Sequence, residues 1–531
     1  MSVTSKSFLQ PLDRVAIALM VVLSLLITLL LWQGNAVVPR VRDFSWQDKQ
    51  VGAEDTSFTL NFSRPMDIKS VEANLQIDPP LPGKVSWAGR RMAYTLLAPA
   101  PYGTSYKVQL HGARDRFTES RYSKRLIQPF SGAFRTRDRA LVYLGVEKEE
   151  QGRLVLYNLT QQQKTILTPK DLVVVDFKPY PSGEKILFSA TLRASNRQSI
   201  LSSQLYTLIT GIQYDKAATY SDRAIIGQNY LKRRPRLPFL PPQSSEHDPA
   251  GKIDLVLDNK DYQNLKFDLS ADGEKIVVQR VNQRRGESGL WVLRPNEKPQ
   301  QLKTQQGGDF MITPDSATVA VAQGQGLAIV PLSEAKTRDF LPQFGMVLDF
   351  AKDGTTGAMV KFNSDYTRSL FLVTNQGVQK QLLRTTGSIL NCQFNPLGQN
   401  LYCLLTQLLD GEEYQEQPYL AAIDLSSGKQ TPLVVLPNQG DVQMSLSPDG
   451  LALLFDQVAT TAANSSALNA PLTDEGEAIA TSRLWLLPLI PLTSVGETLN
   501  NNQAASNRRG LPPQLQPQQL PLPGLHPRWL P

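Results

Sequence analysis

The stretch from Asp441 to Val458 reads DVQMSLSPDGLALLFDQV. Alternating apolar and polar residues lead into Ser447-Pro448-Asp449-Gly450, whose residue types make a tight turn, and a hydrophobic run follows. The phrase is strand, turn, strand. Five other stretches repeat it. VVVDFKPYPSGEKILFSA begins at Val173, NLKFDLSADGEKIVVQRV at Asn264, GDFMITPDSATVAVAQG at Gly308, VLDFAKDGTTGAMVKF at Val347 and LNCQFNPLGQNLYCLL at Leu390.

Aligned at Ser182, Asp272, Asp315, Asp353, Leu397 and Asp449, successive copies lie 90, 43, 38, 44 and 52 residues apart. After the first gap these distances approach the ~40–50-residue period of β-propeller blades. Several units continue into a second strand pair, as at Gly289-Leu290-Trp291-Val292-Leu293, Ser369 to Val373 and Tyr419 to Asp424. Four strands per unit is the content of a blade. The phrases resemble TolB-type and WD-repeat-like propellers, whose signature is F-S-P-D-G before a hydrophobic strand; Met444 to Gly450 is the best copy and Asn395-Pro396-Leu397-Gly398 lacks the Asp. Six phrases imply six blades over residues 139–492. A seventh stays open, because the insertion around 191–263 holds further strand material at Leu205 to Leu208 and Ile253 to Leu257. Arg139 to Tyr157 and Leu484 to Leu487 are candidates to share the blade that closes the ring.

Upstream, from Val38 to Asp138, period-two alternation recurs at Phe58 to Phe62, Lys84 to Trp87, Met92 to Leu96 and Tyr106 to Leu110, separated by Pro- and Gly-rich turns. This pattern predicts an antiparallel sandwich. FTLNFSRPMD (Phe58 to Asp67), with Leu97, Pro99, Tyr102-Gly103, Tyr106 to Val108 and Phe134-Arg135-Thr136, resembles bacterial Ig-like domains of S-layer type. That resemblance implies a spacer or binding module, and residues 116–133 read as an insertion before the last strand.

Behind a short segment (residues 1–14), VAIALMVVLSLLITLLLW from Val15 to Trp32 carries no charge. Eighteen such residues at 1.5 Å each nearly cross a hydrocarbon core of about 30 Å, so the stretch predicts a transmembrane anchor rather than a cleaved signal peptide. The sequence expectation is thus an all-β protein with an N-terminal transmembrane helix, an Ig-like β-sandwich and a six-bladed propeller, seven remaining open. It is expected at the cell membrane, single-pass, with the bulk of the chain extracytoplasmic on the periplasmic side of a bacterial cell envelope. Residues 493–531, rich in Pro and Gln, read as a disordered tail.

Composition weighs against an enzyme. The 531 residues include two Cys and three His, which excludes multi-cysteine metal clusters and leaves little for His-based catalysis. No G-x-S-x-G elbow, P-loop, dinucleotide fingerprint or H-E-x-x-H occurs. His111, His247 and His526 read as incidental, and the recurring Asp-Gly turns as hairpin chemistry rather than calcium sites. No catalytic residue, metal or cofactor is assigned. Cys392 and Cys403 flank Pro396 to Gln399 and pair across that hairpin, within disulfide reach, as either a structural disulfide or two buried thiols.

The net charge of +7 is modest and names no nucleic-acid partner. It is concentrated in two places: Arg114, Arg116, Arg121, Lys124, Arg125, Arg135, Arg137 and Arg139, and the run Lys232, Arg233, Arg234 and Arg236. These form a candidate patch for anionic lipid or an acidic partner, set against solvated loops. The function expected is a non-enzymatic, membrane-anchored platform whose propeller binds a protein or envelope polymer. The alternative is a propeller hydrolase or lyase acting on envelope polysaccharide or peptide with carboxylates in its channel.

Overall fold

The structure is a computed structural model that describes residues 11–34, 38–116, 126–193, 203–212, 249–304, 307–324, 326–333, 339–409, 411, 414–437, 442–460, 479–489 and 516–531. The chain divides into two compact units, Met1–Lys49 with Ser57–Leu97 and Ser105–Phe134, and Gln50–Thr56 with Ala98–Thr104 and Arg135–Pro531.

In the first unit an α-helix covers Pro11–Gly34. Its described side chains run from Val15 to Leu29 and are exposed. Among the described residues no helix is long and apolar enough to cross a membrane. This corrects the expected transmembrane anchor, and the single-pass periplasmic location that depended on it goes with it.

The rest of this unit is two sheets. One is ordered Val41–Phe44, Ser57–Phe62, Arg91–Leu96, Gly83–Ala88, and the other includes Leu75–Asp78, Ser105–Leu110 and Phe130–Thr136. Alternate residues of Ser57–Phe62 are buried, as a period-two strand over a core requires. Phe58 meets Phe44 edge-on at 5.3 Å and stacks on Tyr94 at 5.1 Å, while Phe44 and Trp46 reach Phe134 of the other sheet. Asp67 caps the helix Ile68–Asn74 by accepting the Ser70 N–H.

Among its described residues the second unit holds seven four-stranded antiparallel sheets. Blade 2 comprises Leu172–Pro179, Lys185–Leu192, Gln204–Ile209 and Ile253–Leu257. Blade 3 comprises Tyr262–Leu269, Ile276–Asn282, Ser288–Leu293 and Gln300–Gln301. Blade 4 starts at Phe310–Ile312, blade 5 at Met346–Phe350, blade 6 at Ile389–Phe394 and blade 7 at Met444–Leu446, each followed by three more strands in chain order. Blade 1 is composite: Ala140–Gly145, Leu154–Asn158 and Gln163–Ile166 are joined by Gly524–Trp529 from the chain's other end.

Seven apolar clusters fill the seven blade interfaces and close the ring. Val142 and Ile186 represent the first, and Leu187 with Phe267 the second. Val277 with Val319, Leu327 with Met359, and Leu348 with Leu401 occupy the next three. Leu404 packs with Phe455, and Leu454 with Tyr143. The preferred count of six is therefore corrected to seven. The insertion did not supply the extra blade, since its two strands complete blade 2 and account for the wide first gap. Blade 1 had no turn phrase to count because its innermost and second strands lie at opposite ends of the sequence.

Closure also corrects the end of the expected tail, residues 516–531, while residues 493–515 lie outside the described residues. Gly524↔Gly145, Leu525↔Leu144, Arg528↔Val142 and Trp529↔Leu141 are in register, with an irregularity between Leu525 and Arg528. Pro527 falls inside that irregularity, where a missing N–H costs no ladder bond. Gly524 is needed there, since a Cβ would collide with the Tyr143 ring.

Candidate functional site

Two places on the second unit gather polar chemistry. The first is the ring of innermost strands. Asp268 of blade 3 accepts the backbone N–H of Ile312 in blade 4 at 2.7 Å. Asp349 of blade 5 accepts that of Phe394 in blade 6 at 2.8 Å, and Gln393 of blade 6 that of Leu446 in blade 7 at 2.7 Å. The Ser445 hydroxyl of blade 7 accepts the Trp529 N–H of blade 1 at 3.2 Å. Each acceptor stands one residue before the last apolar residue of its strand, as in Asp268-Leu269 and Asp349-Phe350. The matching residue of blade 2 is Lys178, whose ammonium pairs with Asp268.

Side chains thus join inner strands that have no continuous backbone ladder between them. Burial pushes Asp349 up to about 7, opposed by hydrogen bonds from Phe394 and Phe350 and by the charge of Lys178. Blades 2 and 5 are not neighbours, so Lys178 and Asp349 share the space within the ring. Asp456, fully buried in blade 7, accepts the N–H of Gln443 at 2.6 Å and of His526 at 2.7 Å, and burial raises its pKa. Among the described residues no three His, Cys, Asp or Glu side chains come together to hold a metal.

The second place is a cavity of about 520 Å³ beside the closing strand, lined by Tyr102, Gly103, Thr104, Arg139, Thr160 and Trp529, with Leu159 and Leu486. Asp449, from the best turn phrase, organises it. Its Oδ2 accepts the Tyr102 N–H at 3.0 Å and Arg139 Nη2 at 3.2 Å. Burial pushes the Tyr102 phenol up to about 12, and its oxygen accepts the Ala53 N–H at 2.9 Å. Gly103 has φ +73° and lies where a Cβ would come within 2.7 Å of the Thr160 hydroxyl, so two features require glycine.

Cys392 and Cys403 are directly opposed across their hairpin and joined by a disulfide, with Cα atoms 4.1 Å apart. The basic residues do not stay together as free charge. Arg135 pairs with Asp138 at 3.9 Å, Arg137 with Glu54, and Arg139 with Asp449. Arg114 and Arg116 are exposed on the first unit. Arg121, Lys124, Arg125, Lys232, Arg233, Arg234, Arg236 and His247 lie outside the described residues.

One loop surface was not anticipated in detail. Among the described residues, connections between second and third strands emerge at the same end of the ring, because the blades share one strand order. On blades 5 and 6 these connections carry Phe362, Tyr366, Leu408 and Tyr414, with Tyr366 91% and Tyr414 70% exposed. Beneath them Arg368 of blade 5 donates to the Gly387 carbonyl at 3.1 Å and lies 4.0 Å from Glu416 of blade 6. Glu416 accepts the Thr406 hydroxyl at 2.6 Å. The tips are wet and apolar, while their bases are tied.

No family model matches the chain, and no curated protein does. Among solved structures it is similar to TolB from Acinetobacter baumannii, with 11% identity over 69% of this chain and 81% of that one at a TM-score of 0.36. It is also similar to an oligogalacturonate lyase from Vibrio parahaemolyticus (10%, 67% and 92%, 0.42) and to hydrazine synthase from Kuenenia stuttgartiensis (12%, 65% and 86%, 0.36). The similar structures thus include a TolB protein and two named as enzymes. Scores this low assign no role, and the fold rests on the strand order and ring closure described above.

Proposed function

We propose that this protein is a non-enzymatic binding platform whose propeller presents one face to a protein or polymer partner. The observation that carries the reading is the set of exposed side chains Phe362, Tyr366, Leu408 and Tyr414 on consecutive hairpins of blades 5 and 6. Large apolar and aromatic groups held in water at one end of a rigid scaffold are what a partner desolvates on binding, and tyrosine is over-represented among residues that dominate interface energy. The ion pair and hydrogen bonds below fix the hairpins beforehand, which lowers the ordering cost of association. The sandwich of the first unit, resembling S-layer-type Ig-like domains in sequence, acts as a spacer or second binding module.

The test is capture of partners by the wild-type chain and by a Phe362→Ser/Tyr366→Ser/Tyr414→Ser variant of unchanged melting temperature. A Val378→Ser/Leu397→Ser variant, altered at exposed residues of the ring's opposite end, serves as control. A partner lost only from the triple variant supports the platform. Equal capture by all three proteins rejects it.

One observation favours a second reading, a hydrolase or lyase acting on polysaccharide or peptide within the ring. Asp349, held near 7, shares that space with Lys178. Asp268 and Asp349 are each engaged by a main-chain N–H group of the neighbouring blade, which favours a role in assembly over proton transfer. Turnover of any such substrate that Asp349→Asn abolishes in a folded protein would decide for the enzyme.

A further inference from the structure

Blade 3 contains an arginine built into its interior without a counter-ion. Arg280, on the second strand, is 6% exposed. Its guanidinium lies over the Tyr262 ring, 4.4 Å from the centroid, and 5.4 Å from the centroid of Trp291. The two rings meet edge-on at 5.2 Å and wall the group on two sides. Gly289 stands opposite Arg280 on the third strand and brings no side chain.

One edge of the guanidinium is committed. Nε donates to Asn264 Oδ1 at 3.1 Å. The orientation of that amide is fixed, since its Nδ2 donates to the Ser203 carbonyl at 3.0 Å and the Asp258 carbonyl at 3.1 Å. The other edge is not committed. Among the described residues the two Nη atoms have no hydrogen-bond partner, and they are not among the sealed, unpaired atoms of the molecule. Asp258 and Asp261 are near enough to raise the arginine pKa against burial, which lowers it, yet neither forms an ion pair with it.

Of the two buried arginines among the described residues, Arg137 is met by the Glu54 carboxylate, whereas Arg280 is held in place by an amide and two rings and offers its fork outward. Burying a charge without a partner is unfavourable, and a planar guanidinium fork matches a carboxylate through two parallel hydrogen bonds. We infer that Arg280, with Tyr262, Trp291 and Asn264, forms a subsite for a carboxylate group of a ligand. Flat aromatic walls suit a planar carboxylate better than a tetrahedral phosphate. The site is on blade 3, away from the aromatic tips of blades 5 and 6, and it stands whether or not those tips bind a partner.

The experiment titrates the full-length protein with sodium acetate at constant ionic strength, reading tryptophan fluorescence with Trp291→Phe as the control for signal origin, alongside calorimetry. Acetate is expected to saturate, with sodium chloride silent and sodium phosphate at least tenfold weaker. Arg280→Lys, which keeps charge without the fork, should weaken acetate at least fivefold, and Arg280→Met should abolish the response while the fold persists by melting. Asp261→Asn, removing a nearby like charge from the ligand's surroundings, should tighten binding about two- to threefold. A C-terminally amidated glutamate-rich peptide binding more tightly than succinate assigns the carboxylate to a protein side chain, and the reverse order to a free organic acid. No saturation in folded wild-type protein, equal binding of phosphate, or an acetate response unchanged in folded Arg280→Lys overturns the inference.

Discussion

Asp349 of blade 5 accepts the main-chain N–H of Phe394 in blade 6 across 2.8 Å, so a carboxylate, not a ladder bond, joins two innermost strands. Its elevated pKa gives the junction a pH signature. The carboxyl is pushed from 3.8 up to about 7 by burial, so the folded state holds its proton more tightly than the unfolded chain does. This group's contribution to stability is therefore complete below about pH 4 and is lost as pH rises through about 7. Asp349→Asn cannot ionise. Relative to wild type it should gain stability steadily from pH 4 to pH 8, by up to a few kcal/mol, on top of a pH-independent loss of about 1 kcal/mol for the weaker acceptor. Urea midpoints across that range check it, and a difference that does not change with pH rejects the elevated pKa.

Asp449 tests the polar seam beside the cavity. Its side chain is 1% exposed and accepts from Tyr102 N and Arg139 Nη2, and from the Ser447 hydroxyl and Leu451 N–H within its own turn. Asp449→Ala leaves these donors unpaired and should cost about 3–5 kcal/mol. Asp449→Asn keeps an acceptor for the turn and should cost less. Guanidinium unfolding of the two variants gives the comparison: an Asn variant as stable as wild type would mean that the Arg139 charge contributes nothing, and equal losses would mean that the turn acceptor contributes nothing.

How much of this was legible in sequence follows from what repeats. Ser447-Pro448-Asp449-Gly450 and its relatives announced six hairpins because turn residues are local and period-two strands flank them. Blade 1 was half legible: Arg139 to Tyr157 read as strand material for a closing blade, but Leu484 to Leu487 belongs to blade 7, and the true partner of Ala140–Gly145 is Gly524–Trp529, a pairing that leaves no local turn signal. The opposition of Cys392 and Cys403 could be read because a short turn fixes hairpin register. The inter-blade acceptors had a faint signal, a polar residue before the last apolar residue of the inner strand, as at Asp268, Asp349 and Gln393, though blade 4 has Met311 there. Arg280 between Tyr262 and Trp291 had none, since three strands with different residues meet there. For the basic cluster, counting charge along the chain does not show that Arg137 and Arg139 face Glu54 and Asp449.

The cysteine pair carries a stability expectation of its own. Both residues are fully buried, and the bridge spans a sequence separation of 11. Closing a loop of that length restricts the unfolded chain by about 2–3 kcal/mol. The Cys392→Ala/Cys403→Ala protein should unfold at correspondingly lower denaturant, while Cys403→Ser, which leaves a buried hydroxyl and a free thiol, should lose more. If the double variant matches wild type, the bridge adds nothing to the hairpin.

The closing strand is the sharpest test of the ring. Trp529 is 6% exposed, its main-chain N–H reaches the Ser445 hydroxyl, and its indole N–H donates to the Ser445 carbonyl at 3.1 Å. Its ring lies in the cluster between blades 7 and 1, and Leu525 and Leu530 enter the cluster between blades 1 and 2. One strand thus supports two interfaces. Trp529→Ala should cost about 3–5 kcal/mol. Deleting residues 516–531 removes the strand and should open both interfaces, giving a broad, low-temperature transition in calorimetry. A synthetic peptide of residues 516–531 added in trans should restore part of the lost melting temperature by pairing with Ala140–Gly145, and the same peptide with Gly524→Val should not, because its side chain would meet Tyr143. A deletion variant that melts like wild type would show that the ring holds without its last strand.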